Sequence, residues 1–218
     1  MEYAMSLELF LHPLSSYCHK VLIAFYENAI PFGVKRVDDP EVAREWETLS
    51  PLRKFPLLRD SKRDQVVPES TIIIEYLDIH YPGRTGLIPR DPDLAWQVRL
   101  RDRFFDNYLH AAMQTYVGDL LRPQEKRDPY GVDQAKAMFV KAHGVIDAEL
   151  AHRTWAMGDA FTMADCAAAP AIYYGNHFLG PLRQTHPNAL AYLDRLMARP
   201  SYARVLEEAK PFFHMLPK

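Results

Sequence analysis

Only two cysteines stand in this 218-residue chain, Cys18 and Cys166, and they lie far apart. Two distant thiols make no disulfide framework and fit a reducing compartment, so the chain is expected to be cytoplasmic. No run of one charge appears and the formal net charge is −2. A phosphate backbone is held by clustered Lys and Arg, so nucleic acid is not an expected partner. No apolar stretch is long enough to cross a bilayer, which sets membranes aside. The opening MEYAMSLELFLHP has no basic segment followed by an apolar run and reads as no secretion signal. Glycines are sparse, 9 in all, and none of their spacings suits a phosphate loop. His-x-x-x-His, Cys-x-x-Cys and paired-carboxylate patterns of usual metal-site form are missing too, so no metal is expected.

What is present is ordinary globular material: 48% hydrophobic and 25% charged residues. The first eighty or so residues alternate strand and helix signals. LELFL is a short apolar run that reads as a buried strand. After Pro13, Cys18, Leu22, Phe25 and Ala29 recur at helical spacing, with Ser15 or Ser16 as cap. PFGVKRV reads as a second strand, and Val42, Trp46 and Leu49 share one face of a short helix. Pro56 to Arg59 and Gln65 to Val67 read as a hairpin around the polar turn DSKRD. Ser70 is expected to cap a helix carrying Ile72, Ile73, Tyr76 and Leu77, which Pro82-Gly83 ends. The order β-α-β, helix, β-β-α predicts a mixed four-stranded sheet, with the first strand pair parallel through a right-handed crossover.

GRTGLIPRDPD lacks periodicity and predicts a linker at 84–93, between an α/β domain at 1–83 and an all-helical domain at 94–218. In the second half, Trp96, Leu100, Phe104 and Ala111 form one expected core stripe. Ala135, Met138, Phe139, Ala142, Val145 and Ile146 form another. Thr162, Pro187 and Ser201 open three further helices.

Several places could carry chemistry. The turn Ser15-Ser16-Tyr17-Cys18 opens the first helix, whose free N–H groups and dipole favour a thiolate; on local sequence alone Ser15 reads first as a plain cap. Pro56 in KFPLL either takes the cis form beside Phe55 or simply starts a strand. Glu69 and Ser70 in PES offer an ammonium acceptor and a carboxylate site at a helix start, or again a plain cap. Thr162 and Asp165 in FTMADC make a capping box, with Phe161 and Cys166 as its hydrophobic staple. Replacing Asp165 by alanine is expected to cost about 1 kcal/mol or somewhat more.

Taken in order, SSYCHK after the first strand, KFP before the third, PES before the third helix and FTMADCAAAP in the helical half resemble the glutathione S-transferase superfamily, in its serine-using, bacterial-type form. The resemblance covers nearly the whole chain. It implies a thioredoxin-like domain (βαβ-ββα) joined to an all-α bundle, glutathione as co-substrate, a small hydrophobic electrophile, a homodimer and a detoxification role. Ser15 matches the residue that hydrogen-bonds the glutathione sulfur, with Tyr17, Ser16 and Cys18 as alternatives. Phe55 and Pro56 match the segment that pairs with the cysteinyl part, and Lys54 beside them could meet the glycyl carboxylate. Glu69 and Ser70 match the pair holding the γ-glutamyl end. The resemblance makes the Thr162–Asp165 box structural.

Tyr17 interrupts the Ser-Ser-Cys of the branch that isomerises maleylacetoacetate, and Ser15 stands where thiol-disulfide branches have cysteine. Cys18 reads as a buried small hydrophobe, and His12 and His19 as surface or packing residues rather than bases. Tyr108, Met113, Tyr116 and Phe178 are the candidates for the electrophile pocket; whether Arg103 and His110 face it is left open. The expected reaction is conjugation. The alternatives are a non-catalytic binding or regulatory module of the same fold, or a glutathione-dependent isomerase or peroxidase.

Overall fold

The computed structural model describes residues 6–180 and 185–217. The first five residues of the stretch read as no secretion signal lie outside the described residues. Strand β1 (Leu7–Leu11), helix α1 (Ser16–Glu27), β2 (Gly33–Arg36), α2 (Pro40–Leu49), β3 (Leu57–Asp60), β4 (Gln65–Pro68) and α3 (Ser70–His80) follow the expected order within a residue or two. The sheet order is β2-β1-β3-β4. β1 and β2 are parallel, with Leu9 opposite Val34, and the other two pairs are antiparallel, with Leu9 opposite Leu58 and Leu58 opposite Val67.

Side chains alternate across a strand, so each sheet face builds its own core. Leu7, Leu9, Leu11, Leu58 and Val67 pack on α1 and α3. Phe10 and Leu57 point the other way, under Trp46 of α2. The helical half comprises α4 (Pro92–Phe104), a π-helical turn (Phe105–His110), α5 (Ala111–Leu120), α6 (Pro129–Leu150), α7 (Met163–Phe178), α8 (Pro187–Ala198) and α9 (Pro200–Ala209), ending in a 3-10 turn (Lys210–Met215). Gly175 lets α7 close on α6, since an added Cβ would lie 2.2 Å from the Phe139 ring. Among the described residues no helix is long and apolar enough to cross a membrane.

The two halves are not independent bodies. One core runs from β1 and α1 through α4 to α9. The connecting segment is stitched into both: the Leu87 N–H donates to Asp78 at 3.1 Å, and its carbonyl accepts from Met163 at 2.9 Å.

Four expectations are corrected. Trp96 and Leu100 face solvent at 53% and 62% exposure, and Ala111 is exposed; α4 instead buries Ala95, Val98 and Asp102. The reason is electrostatic: the fully buried Lys20 of α1 draws Asp102 and Asp106 inward at 2.6 and 2.8 Å, and the large apolar residues turn out. On α6, Met138 and Val145 are exposed while Ala135, Phe139, Ala142, His143 and Ile146 are buried. On α3, Ile72 is exposed and Ile74 takes its place in the core. Finally, Ser70 is the first helical residue of α3; the cap position belongs to Glu69, at φ +69° and ψ +117°.

Candidate functional site

β1 delivers the chain to a turn closed by the Ser15 N–H donating to the His12 carbonyl at 3.0 Å. Ser15 is then the N-cap of α1, its Oγ accepting from the Cys18 N–H at 3.3 Å. Capping occupies a lone pair of the hydroxyl and leaves its proton free, so cap and donor are compatible roles. Ser16 is buried and accepts from Gln114 of α5 at 3.4 Å. Cys18 is fully enclosed, and burial pushes its thiol up to about 12. His19 is buried as well. It donates from Nε2 to the Pro13 carbonyl at 2.7 Å, and burial lowers its pKa to about 4.

A cleft runs past this turn and changes character along its length. At one end a cavity of about 300 Å³ is lined by Tyr17, Lys54, Phe55, Pro56, Glu69, Ser70, Arg103, Asp106 and Asn107, with Pro68 beside them. The Phe55–Pro56 peptide is cis. The loop before it is fixed from α2: the Lys54 carbonyl accepts from Trp46 Nε1 at 3.1 Å and Ser50 Oγ at 3.2 Å, while its side chain stays exposed. The Glu69 backbone sits in the left-handed region, a conformation costing a non-glycine residue on the order of 1–3 kcal/mol, and such strain gathers where a site dictates geometry. The helix it starts leaves its first N–H groups unpaired within the helix, as a carboxylate site requires.

Below this polar end lies a buried ion cluster. Lys20 Nζ donates to Asp106 and Thr71, both at 2.8 Å, and pairs with the Asp102 carboxylate at 2.6 Å. Arg103 pairs with Asp102 at 2.9 Å and also contacts Asp106 and Thr71. Burial works to raise the Asp106 pKa, but His110 and Lys20 outweigh it and hold the carboxyl well below the usual range. His110 is fully buried, 3.3 Å from Asp106 through Nδ1, and its ring lies 4.3 Å from that of Tyr17. Burial, then the Asp106 charge, pushes Tyr17 up to about 12, so its hydroxyl is a neutral donor near pH 7.

The other end is apolar. A cavity of about 280 Å³ is walled by Leu14, Met113, Val117, Leu121, Tyr174, Phe178 and the tail residues Met215, Leu216 and Pro217, with Ser15, Ser16, His12, Phe55 and Gln114 completing it. Of the candidates for this pocket, Met113 and Phe178 line it; Tyr108 and Tyr116 do not. Tyr108 packs on Phe104 and is exposed, and Tyr116 turns to Lys136. Helical phase explains the split, because Met113, Val117 and Leu121 repeat every four residues and Tyr116 falls off that face. Ser15 and Phe55, with Tyr17 and Lys54 alongside, join the two ends through a shared middle section.

Thr162 and Asp165 form the capping box, remote from the cleft, and Asp165 does more than cap. Its carboxylate accepts from the Thr162 N–H and the Ala156 N–H, both at 2.8 Å, and from Tyr192 Oη at 2.6 Å.

The site thus has a polar end that carries Lys54, Glu69, Ser70 and Arg103, a hydroxyl at a helix terminus and an apolar chamber beyond it. Residues 9–85 match the N-terminal domain family of glutathione S-transferases, and residues 104–200 match the C-terminal domain family. The chain belongs to the glutathione S-transferase family. It is 28% identical over 197 residues to glutathione S-transferase GstB of Escherichia coli K12, covering 86% of this chain and 91% of that one. It is also 28% identical over 166 residues to a stringent starvation protein A homolog of Coxiella burnetii, covering 76% and 74%. Among solved structures, the glutathione S-transferase of Methylobacillus flagellatus KT with GSH bound superposes with a TM-score of 0.83 at 25% identity, covering 92% and 98%.

Sequence reasoning missed Asp106, Asn107, Gln114, Tyr174 and the tail. Arg103, Asp106 and Asn107 stand at helical spacing, and Lys20 interrupts an apolar run; those were the available signals. His, Cys, Asp and Glu side chains nowhere gather in threes as a metal would need, among the described residues.

Proposed function

We propose that this protein is a glutathione transferase that joins the glutathione thiolate to a small hydrophobic electrophile. The observation that carries this is the two-ended cleft with the Ser15 hydroxyl between its ends. Glutathione lies extended along the sheet edge of the cleft. Its γ-glutamyl ammonium meets Glu69 and its γ-glutamyl carboxylate meets Ser70 with the α3 terminus, and Arg103 adds a guanidinium from the helical half. Phe55 pairs with the cysteinyl part and Lys54 takes the glycyl carboxylate as a point charge.

The sulfur then reaches Ser15 and the α1 terminus. A hydroxyl proton and a dipole end favour thiolate over thiol, and the electrophile is held in the apolar chamber at attack distance. Cys18 is unsuited to the nucleophile's role, since an enclosed thiol with a raised pKa stays protonated. Tyr17 is a neutral donor among Asp106, Arg103 and Glu69, which favours the γ-glutamyl end for its hydroxyl.

Two copies associate through α3 and α4, which Arg99 and Glu75 bridge at 2.8 Å and which leave Ile72, Ile79, Trp96 and Leu100 exposed. Large apolar side chains left exposed on two adjacent helices suit an interface. The cytoplasm, where glutathione is reduced, suits a protein with two unpaired cysteines.

The test is a conjugation assay with Ser15→Ala. Turnover falls at least tenfold while calorimetry still registers glutathione binding. Full turnover in the variant moves the role to Ser16, Tyr17 or backbone N–H groups. The likeness to a relative named for stringent starvation supports a second reading, a non-catalytic binding or regulatory module of the same fold; tight glutathione binding with no conjugate from any electrophile favours it. Isomerisation regenerates glutathione and peroxide reduction oxidises it, so product analysis separates both from conjugation, which consumes it as a thioether.

A further inference from the structure

His19 sits in the first turn of α1, four residues after Ser15, and is fully buried. Its Nε2 lies 2.7 Å from the Pro13 carbonyl, and a carbonyl only accepts, so Nε2 carries the proton. Burial lowers the ring's pKa to about 4, so near pH 7 the ring is neutral and Nδ1 is a bare acceptor. That acceptor has no partner among the described residues. Tyr174 of α7 and Tyr202 of α9 lie against the same ring, at centroid distances of 5.4 and 6.4 Å. Both of their hydroxyls are buried and unpaired as well. Burial raises both phenol pKa values, so each hydroxyl keeps its proton.

One acceptor and two donors are therefore left over in a single enclosed cluster, and none of them bonds to another. Buried polar groups in native folds are nearly always satisfied, so three orphans side by side need a reason. A water molecule complements the set. It accepts from two hydroxyls, donates to one imidazole nitrogen, and so makes about the three hydrogen bonds typical of buried water.

We propose that an ordered internal water joins His19 Nδ1 to the Tyr174 and Tyr202 hydroxyls, and that His19, fixed in this way, is a positioning residue for Ser15. Only the second half rests on the transferase reading. The Pro13 carbonyl is where a side chain of α1 grips the turn that ends in Ser15. The same turn is closed by the Ser15 N–H on the His12 carbonyl at 3.0 Å and the Leu14 N–H on His12 Nδ1 at 3.2 Å. What one ring nitrogen binds sets the tautomer and the orientation of the other, so the water keeps Nε2–H on Pro13. Through this link α7 and α9, in the helical half, fix the hydroxyl and the free N–H groups that the glutathione sulfur meets in the α/β half. Such groups act only when held to a fraction of an ångström.

The experiment begins with Tyr202→Phe, which removes one oxygen from a residue that lines none of the cleft cavities. Deleting an unpartnered hydroxyl raises the urea midpoint or leaves it, whereas deleting one bound to water lowers it. A lowered midpoint is expected, together with a change in the nitrogen-15 NMR shift of His19 Nδ1. A raised or unchanged midpoint, or His19 nitrogens indifferent to the substitution, overturns the water. Positioning is read from the ultraviolet absorbance of the thiolate of bound glutathione, titrated against pH. In His19→Phe the thiol pKa rises by about one unit. His19→Gln, whose amide N–H still reaches Pro13, returns most of that rise. A wild-type pKa in His19→Phe, or no recovery in His19→Gln, overturns the positioning role. Should His19→Phe not fold, the same titration of Tyr202→Phe shows a smaller rise, and no rise overturns the role. A wild-type pKa in Ser15→Ala sinks the use of Ser15 in the transferase reading. A raised value there beside a wild-type value in His19→Phe sinks this proposal alone.

Discussion

Asp165→Ala separates an ordinary helix cap from what the fold built on it. As an exposed cap the residue would be worth about 1 kcal/mol. In the folded chain its two oxygens divide four donors. One takes the Ala156 N–H at 2.8 Å and Tyr192 Oη at 2.6 Å; the other takes the Thr162 N–H at 2.8 Å and Thr162 Oγ1 at 3.0 Å. All three donor residues are buried. Alanine leaves two backbone N–H groups without partners where water does not reach, at about 1–3 kcal/mol each, in addition to the cap. Relief of a buried carboxylate, whose pKa burial raises, offsets part of this. The expected loss is about 3 kcal/mol. With a urea m-value of roughly 1–3 kcal/mol/M, the unfolding midpoint falls by about 1–3 M. Asp165→Asn is the sharper probe. Asparagine caps a helix as well as aspartate does, but here its NH₂ must face one of the two donor pairs, so at least half the loss remains. A midpoint shift in Asp165→Ala no larger than an exposed cap gives, or a wild-type midpoint in Asp165→Asn, would refute the reasoning.

Lys20→Met strands the Asp102 and Asp106 carboxylates. Unpairing a buried charge costs about 3–5 kcal/mol, and because Arg103 remains beside both, urea unfolding should place the variant near 3 kcal/mol. The neutral His19 and His143 rings sit at about 4, against an ordinary 6.5, because burial disfavours their charged forms. Between those values the unfolded chain binds protons that the folded chain refuses. Their contribution is therefore neutral above pH 6.5 and turns destabilising as pH falls towards 4, at about 1.4 kcal/mol per pH unit for each. Unfolding curves from pH 7 to pH 5 test this, with a shallower slope in His143→Phe; pH-independent stability contradicts it. Leu100→Glu should convert a dimer to a monomer in sedimentation without loss of helix content, and an unchanged mass removes α4 from the interface.

The sequence by itself determined the element order, the parallel first pair and the antiparallel hairpin, because period-two and period-3.6 patterns and Pro/Gly punctuation are local. Ser15, Phe55, Glu69 and Ser70 could be named as candidates for the same reason: each sits at a strand-to-helix or loop-to-strand junction. Which apolar face of α4 is covered was not local. Trp96 and Leu100 make a better stripe than Ala95 and Val98, and only the position of Lys20 on α1 turns the acids inward. The apolar chamber is still further from the sequence, because Ser15, Met113, Tyr174 and Leu216 meet there from four distant segments. The strength of Asp165 was likewise settled in three dimensions, since Ala156 and Tyr192 join it from outside the helix it caps. Hydrogen-bond partners and pocket walls are properties of packing, and packing chooses among faces that a one-dimensional pattern leaves equivalent.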